Sequence, residues 1–235
     1  MRALALETSG RIGSIAIVDD DCIRVEETFQ HGLQNAAKIL PIINRLTHQQ
    51  NWKPTDIEDL YVSVGPGSFT GLRLGVTLAK TMALATGVKI VAVPTVRVLA
   101  ENAPADAQNL IVVLDAKRDQ IFTARFARSG GAWREMEPAH VDSLAAMLER
   151  SPRPVHLLGE GMPFHRKFIA DDPKVIITTE DSWRARASVV ARLGVEMAKR
   201  GEFADPLTLT PIYIRKPEAV EKADAADLTS GQSEP

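Results

Sequence analysis

The chain has 235 residues, of which 45% are hydrophobic and 25% are charged, as in an ordinary globular protein with a sizeable core. We expect neither a membrane span nor a secretory signal, because no apolar run approaches about 18 residues and the opening run is short and ends at Glu7. The single cysteine, Cys22, excludes an intrachain disulfide and favours a cytoplasmic location. The net charge is −2, so the chain lacks the basic excess that is typical of proteins that bind nucleic acid unaided.

The first hundred residues are predicted to alternate strands and helices. Apolar or alternating runs predict strands at Ala3–Leu6, Ser14–Val18, Ile23–Phe29, Leu60–Val64 and Lys89–Val93. Helical spacing of the apolar residues predicts helices over about 33–50 and 68–86, and a short one from Pro94 to Asn102. Pro41 should kink the first helix or force a local break in it, and Gly87 should end the second.

A polar stretch at 102–107 is the best candidate domain boundary. It divides an N-terminal α/β domain, 1–104, from a C-terminal α/β domain, 105–215. In the second part, strands are predicted at Leu110–Leu114, Gln120–Phe126, Trp133–Pro138 and Val155–Leu158, and helices at 143–150 and Arg184–Arg200. Residues 216–235 show no apolar period and hold two lysines and five acids, so they are predicted to form a disordered acidic tail.

The two halves open with a similar pattern. Residues Leu4–Ala16 align without gaps on Val112–Ala124, and each copy is an apolar strand, an acid, a polar turn and a second strand. The acids are Glu7 and Asp115. A strand-end carboxylate beside a polar turn can hold a metal and its phosphate. The alternative interpretation is that any β-hairpin needs a polar turn, in which a carboxylate often lies.

A glycine-rich run, Gly65–Arg73, lies between a predicted strand and a predicted helix. Its glycines permit unusual backbone angles, and the free N–H groups of a helix start attract anions. The spacing fits no standard phosphate loop, because Thr70 and Leu72 stand where a dinucleotide or Walker A motif needs Gly and Lys. Pro66 likewise excludes the nucleophile elbow of a serine hydrolase.

The helix that follows carries small residues at every fourth position, namely Gly71, Gly75, Ala79 and Ala83. Each helical glycine costs about 1 kcal/mol relative to alanine, so a close neighbour is expected. That neighbour is either the chain's own sheet or a helix of a partner. Of the five histidines no two stand at i, i+4, so the sequence does not support a metalloprotease site.

Four segments together resemble a known family: Leu4–Ser9, Gly65–Gly75, Leu114–Lys117 and Pro211–Arg215. In this order and spacing they are similar to the TsaB (YeaZ) family of bacterial tRNA threonylcarbamoyladenosine synthesis, over about residues 2–215. The glycine-rich run is the most specific of the four.

The resemblance implies an α/β, actin/Hsp70/sugar-kinase-like (ASKHA) fold, duplicated in two domains. It implies a non-catalytic subunit that binds the transferase TsaD and the ATPase TsaE, dimerises when alone, and meets tRNA only through the complex. No cofactor is expected on this chain alone, although ATP or ADP and Mg²⁺ could lie at an interface of the complex. The family commonly has Asp where this chain has Glu7, and the longer side chain would spoil a tight metal geometry.

Two sets of residues follow from this interpretation. The first is a partner-binding helical face at Leu33, Ala36, Leu40, Ile43, Gly71, Leu72, Gly75, Val76 and Ala79. The second is a vestigial nucleotide site at Glu7, Thr8, Ser9, Gly65, Gly67, Ser68 and Asp115. The alternative function is an ATP-dependent phosphotransferase or ATPase that uses Glu7 and Asp115 around Mg²⁺.

Overall fold

The computed structural model describes residues 1–30 and 36–215. The predicted tail, 216–235, and Leu33 lie outside the described residues. The N-terminal elements are β1 (Arg2–Glu7), β2 (Ile12–Asp19), β3 (Cys22–Gln30), α1 (Ala36–Gln49), β4 (Asp59–Ser63), α2 (Phe69–Thr86), β5 (Lys89–Val93) and α3 (Thr95–Ala100). The remaining elements are β6 (Asn109–Asp115), β7 (Ile121–Ser129), β8 (Ala132–Asp142), α4 (Leu144–Arg150), β9 (Val155–Leu158), α5 (Met162–His165), β10 (Val175–Ile177) and α6 (Ala187–Lys199).

The ten strands in the described part of the chain form two sheets with the same strand arrangement. The first has the order β3-β2-β1-β4-β5 and the second β8-β7-β6-β9-β10. In each, the first three strands are antiparallel and the last two run parallel to the central strand. This confirms the duplication that the sequence repeat predicted and the actin/Hsp70/sugar-kinase-like fold that the family resemblance implied.

Alternation along the strands separates three cores. In β1, Leu4 and Leu6 face a core shared with α1 and α2, whereas Ala3 and Ala5 face the opposite side. On that side the two sheets share one core, into which α3 and α6 are inserted. A third core lies between the second sheet and α4. We call the first sheet with α1 and α2 the first lobe, and the second sheet with α4 and α5 the second lobe.

Helix α6 belongs to the predicted C-terminal domain, yet it packs on β1, β2, β4 and β5 of the first sheet. The close approach depends on Gly194, where a Cβ atom would lie 2.3 Å from the Tyr61 ring. The last helix therefore ties the two lobes together. The division at 104/105 itself remains a prediction.

The second hairpin differs from the first by one residue. Glu7 pairs with Ser14, whereas Asp115 pairs with Ile121. The gapless sequence alignment equates Phe122 with Ser14, whereas the strand pairing makes Ile121 the equivalent of Ser14. The alignment is therefore wrong beyond the turn. The shorter turn is closed by Lys117, Arg118 and Asp119, all three at positive φ, a tight path that a sequence pattern does not reveal.

Helix α1 continues through Pro41 in the structure. The sequence did not predict β10 or α5, which have only three and four residues. None of the helices in the described ranges is long and apolar enough to cross a membrane.

Candidate functional site

A cleft of about 1010 Å³ lies between the lobes, at the ends of the two central hairpins. The first lobe contributes the turn Ser9–Arg11 and the glycine-rich run from Pro66 to Phe69. The second lobe contributes the turn after β6, with Asp115, and the side chain of Glu160. Of the predicted nucleotide site, Ser9, Gly67, Ser68 and Asp115 line this cleft.

Glu7 lies below the cleft and is fully buried, as is Thr8. One Glu7 carboxylate oxygen accepts hydrogen bonds from the Ser9 backbone N–H at 2.5 Å and the Ser9 hydroxyl at 2.6 Å. Burial raises the pKa of the Glu7 carboxyl, and the Ser9 hydrogen bonds only partly oppose it. The Glu7 carboxyl group therefore stabilises the turn of its own hairpin.

The glycine-rich run packs directly on that same turn. The Ser68 N–H donates to the Ser9 carbonyl at 2.7 Å, and a Cβ atom at Gly67 would lie 2.5 Å from that carbonyl oxygen. The Ser68 hydroxyl accepts from the Gly71 N–H and so caps α2. Gly65 has φ +113°. The run thus uses its glycines for close packing within the chain.

A second carboxylate crosses the cleft. Glu160 of the second lobe accepts the Arg11 N–H of the first at 2.9 Å. Burial raises the pKa of Glu160, opposed by the Arg11 hydrogen bond. The N–H groups of Ser9, Arg11 and Ser68, which could cradle a phosphate in this fold, thus already have acceptors inside the chain.

Asp115 has a partner that the sequence did not indicate. The buried His165 donates from Nε2 to Asp115 Oδ1 at 3.2 Å, and the Lys117 N–H donates to the same oxygen. Burial pushes the pKa of Asp115 upwards, but the bonds from His165 and Lys117 outweigh it and hold the pKa below its usual value. Across 1–30 and 36–215, no three His, Cys, Asp or Glu side chains could hold a metal ion together.

The C-terminal segment spans the cleft. The Ile212 N–H donates to the Val64 carbonyl at 2.7 Å, and the Tyr213 ring lies 5.0 Å from that of Phe69. On the other lobe, Arg215 donates to the Ala116 carbonyl and to the Gln120 side chain. The Pro211–Arg215 motif therefore contacts both lobes beside the two hairpin turns.

The structure corrects part of the predicted partner face. Six of its residues are buried within this chain: Ile43 of α1, and Gly71, Leu72, Gly75, Val76 and Ala79 of α2. At Gly75 a Cβ atom would lie 2.4 Å from the Thr8 hydroxyl oxygen. The ridge of small residues therefore lets α2 approach its own sheet, the first of the two alternatives left open above.

The exposed side of α2 forms an apolar groove with α1, with a volume of about 590 Å³. Leu74, Leu78 and Met82 of α2 line it and are only partly buried. From α1, Leu40 lines it with 58% of its surface exposed, beside the buried Ile43. Ala36 precedes these residues on the same helix. The exposed apolar surface of α1 and α2 is therefore this groove, and not the small-residue ridge.

Comparisons with known proteins agree with the resemblance. The family model described as TsaD, tRNA N6-adenosine threonylcarbamoyltransferase, matches residues 33–181. The tRNA threonylcarbamoyladenosine biosynthesis protein TsaB of Bacillus subtilis is 32% identical, over 94% of this chain and 97% of that protein. Its counterpart in Escherichia coli is 28% identical, over 57% of this chain and 58% of that protein. The structure of YeaZ from Pseudomonas aeruginosa superposes with a TM-score of 0.76 at 21% identity, covering 90% of this chain and 99% of that one.

Proposed function

The chain belongs to the TsaB (YeaZ) family of tRNA threonylcarbamoyladenosine biosynthesis proteins, and from this premise we propose that it is a non-catalytic subunit that binds and activates TsaD. The observation that carries the proposal is the state of the interlobe cleft. Its turn amides are bonded to Glu7, Glu160 and the Ser9 carbonyl. A nucleotide phosphate would have to compete with these internal acceptors for the turn amides, which disfavours nucleotide chemistry on this chain alone.

The α1–α2 groove is the proposed binding surface for TsaD. The TsaD model matches the chain from residue 33 onward, across both helices, so TsaD is expected to present helices of the same kind. Two such pairs can pack as a four-helix bundle, with Leu40 and Leu78 at the seam. Without TsaD, the same face of a second copy would take its place, so the isolated chain is expected to form a homodimer.

The remaining partners follow from the same proposal. TsaE and tRNA would join through the complex, in the cytoplasm where tRNA is modified. Any ATP or ADP with Mg²⁺ would lie at an interface of the complex. Adenosine 37 of tRNAs that read ANN codons would be the modified position.

A drop-out reconstitution tests this function. TsaD, TsaE, a source of threonylcarbamoyl-adenylate, ATP and tRNA are combined with and without the chain, and modified adenosine is measured. We expect product only with the chain present, and an unchanged yield with the double variant Glu7→Gln, Asp115→Asn. The non-catalytic proposal fails if that variant still forms the heterodimer but loses the product, since Glu7 and Asp115 would then act as in a phosphotransferase or ATPase.

A further inference from the structure

A compact surface of cations and exposed aromatic rings lies at the mouth of the cleft. We call it the mouth surface and define it by Arg11, Lys117, Phe164, Arg166, Lys167 and Phe168. Phe164 and Phe168 are 43% and 39% exposed. Both stand in a short segment in which Met162 and His165 are buried, so the segment is anchored while the rings face outward.

Two cation–ring contacts link four of these residues in pairs. The Arg11 guanidinium lies 4.9 Å above the Phe164 ring, and the Lys167 ammonium 4.6 Å above the Phe168 ring. Lys167 also pairs with Asp119 of the second hairpin turn at 3.2 Å. Both hairpin turns and the segment after β9 therefore meet in one surface.

The mouth surface is basic although the chain as a whole carries −2. Its four cations are joined by the exposed Arg118. Three carboxylates lie nearby, and all have partners. Asp119 pairs with Lys167, and Asp115 pairs with Lys117 at 3.4 Å and with His165. Glu160 accepts a backbone N–H of the first turn. The balance leaves an excess of two positive charges around two exposed rings.

We propose that the mouth surface binds single-stranded RNA, with bases stacked on Phe164 and Phe168 and phosphates held by the surrounding cations. Cations interleaved with aromatic rings are the chemistry by which proteins hold unpaired nucleotides. The inference rests on the proposed function, since the substrate of the complex is a tRNA whose anticodon loop presents such nucleotides. It assigns to this chain a share of RNA binding within the complex.

The test is a fluorescence anisotropy titration of an anticodon stem–loop RNA with the TsaD heterodimer and with the full chain alone. Two variants probe the surface, Phe168→Ala and Arg166→Glu. Each has a matched control: Phe203 is also 39% exposed beside a lysine, and Arg134 is also an exposed arginine. The controls are Phe203→Ala and Arg134→Glu.

We expect Phe168→Ala to raise Kd by about fivefold or more, the lower range for loss of one stacked base. Arg166→Glu should raise Kd and reduce the slope of log Kd against log salt by about one. Both controls should bind like the unaltered chain. A stem duplex without the loop should bind more weakly and should not respond to Phe168→Ala.

Equal Kd values for all four variants would overturn the inference. The inference would also be overturned if Phe168→Ala weakened TsaE binding and left the affinity for RNA unchanged. The mouth surface would then be a protein interface. Size-exclusion chromatography shows whether the TsaD heterodimer forms, and this separates a failure of the proposed function from a failure of the RNA inference. If it fails to form, the proposed function fails, and the titration of the full chain alone still decides the RNA inference.

Discussion

At the scale of single residues, Glu7 is an ionisable group placed entirely inside the protein. It is a fully buried carboxyl whose hydrogen-bond donors come from Ser9, two residues away. Its pKa is raised by burial, so the folded chain holds the proton at a pH where the unfolded chain has lost it. The free energy of unfolding should therefore fall as the pH rises from the ordinary carboxyl range through the raised pKa, and stay lower above it.

Glu7→Gln should remove this pH dependence, because the amide oxygen can still accept both Ser9 bonds while the charge is gone. We expect the variant to melt several degrees above the unaltered chain at pH 7.5, since 1 kcal/mol corresponds to about 2–4 °C for a chain of this size. The difference should shrink towards pH 4. Thermal melts across this range are the measurement, with the exposed Glu135→Gln as control. The melting temperature of Glu7→Gln minus that of the parent chain is the quantity to compare at the two pH values. A smaller difference at pH 7.5 than at pH 4 would contradict this expectation.

At the scale of elements, α2 is seated on its sheet through glycine. The Gly75 backbone faces Thr8 at a distance that leaves no space for a methyl group. Gly75→Ala should lower the free energy of unfolding by about 1–3 kcal/mol through overpacking, although alanine is the better helix former. Urea unfolding measures this, with Thr77→Ala on the exposed side of α2 as control. Unchanged stability would return the small-residue ridge to the list of partner surfaces.

Local patterns predicted most of the elements, because caps and periodicity are local. Ser68 and Gly87 bound α2 as expected, and the repeated strand–acid–turn pattern corresponds to the duplicated sheets. Which neighbour the ridge of α2 faces could not be predicted, since a small residue permits a close approach from a sheet or from a partner alike. The contact of His165 with Asp115 spans 50 residues and leaves no periodic signal.

At the scale of the whole molecule, hydrogen bonds within the chain link the two duplicated lobes across the cleft. Glu160 bonds across the cleft to the first lobe, while Arg215 reaches from the C-terminal segment to the second. The groove between α1 and α2 lies on the outer side of the first lobe, away from the core that the two sheets share. Internal contacts thus occupy the cleft, and the α1–α2 groove is the surface that we propose for partner binding.

Heterodimer formation with TsaD tests that placement most directly. Leu40 lines the groove and is 58% exposed, whereas Leu84 is 68% exposed on α2 but does not line the groove. Both can accept a charge without damage to the core. Isothermal titration of TsaD with each variant should show Leu40→Glu weakening Kd by at least tenfold, as expected for an apolar contact at the centre of an interface, and Leu84→Glu binding like the unaltered chain. Equal affinities for both variants would contradict the account.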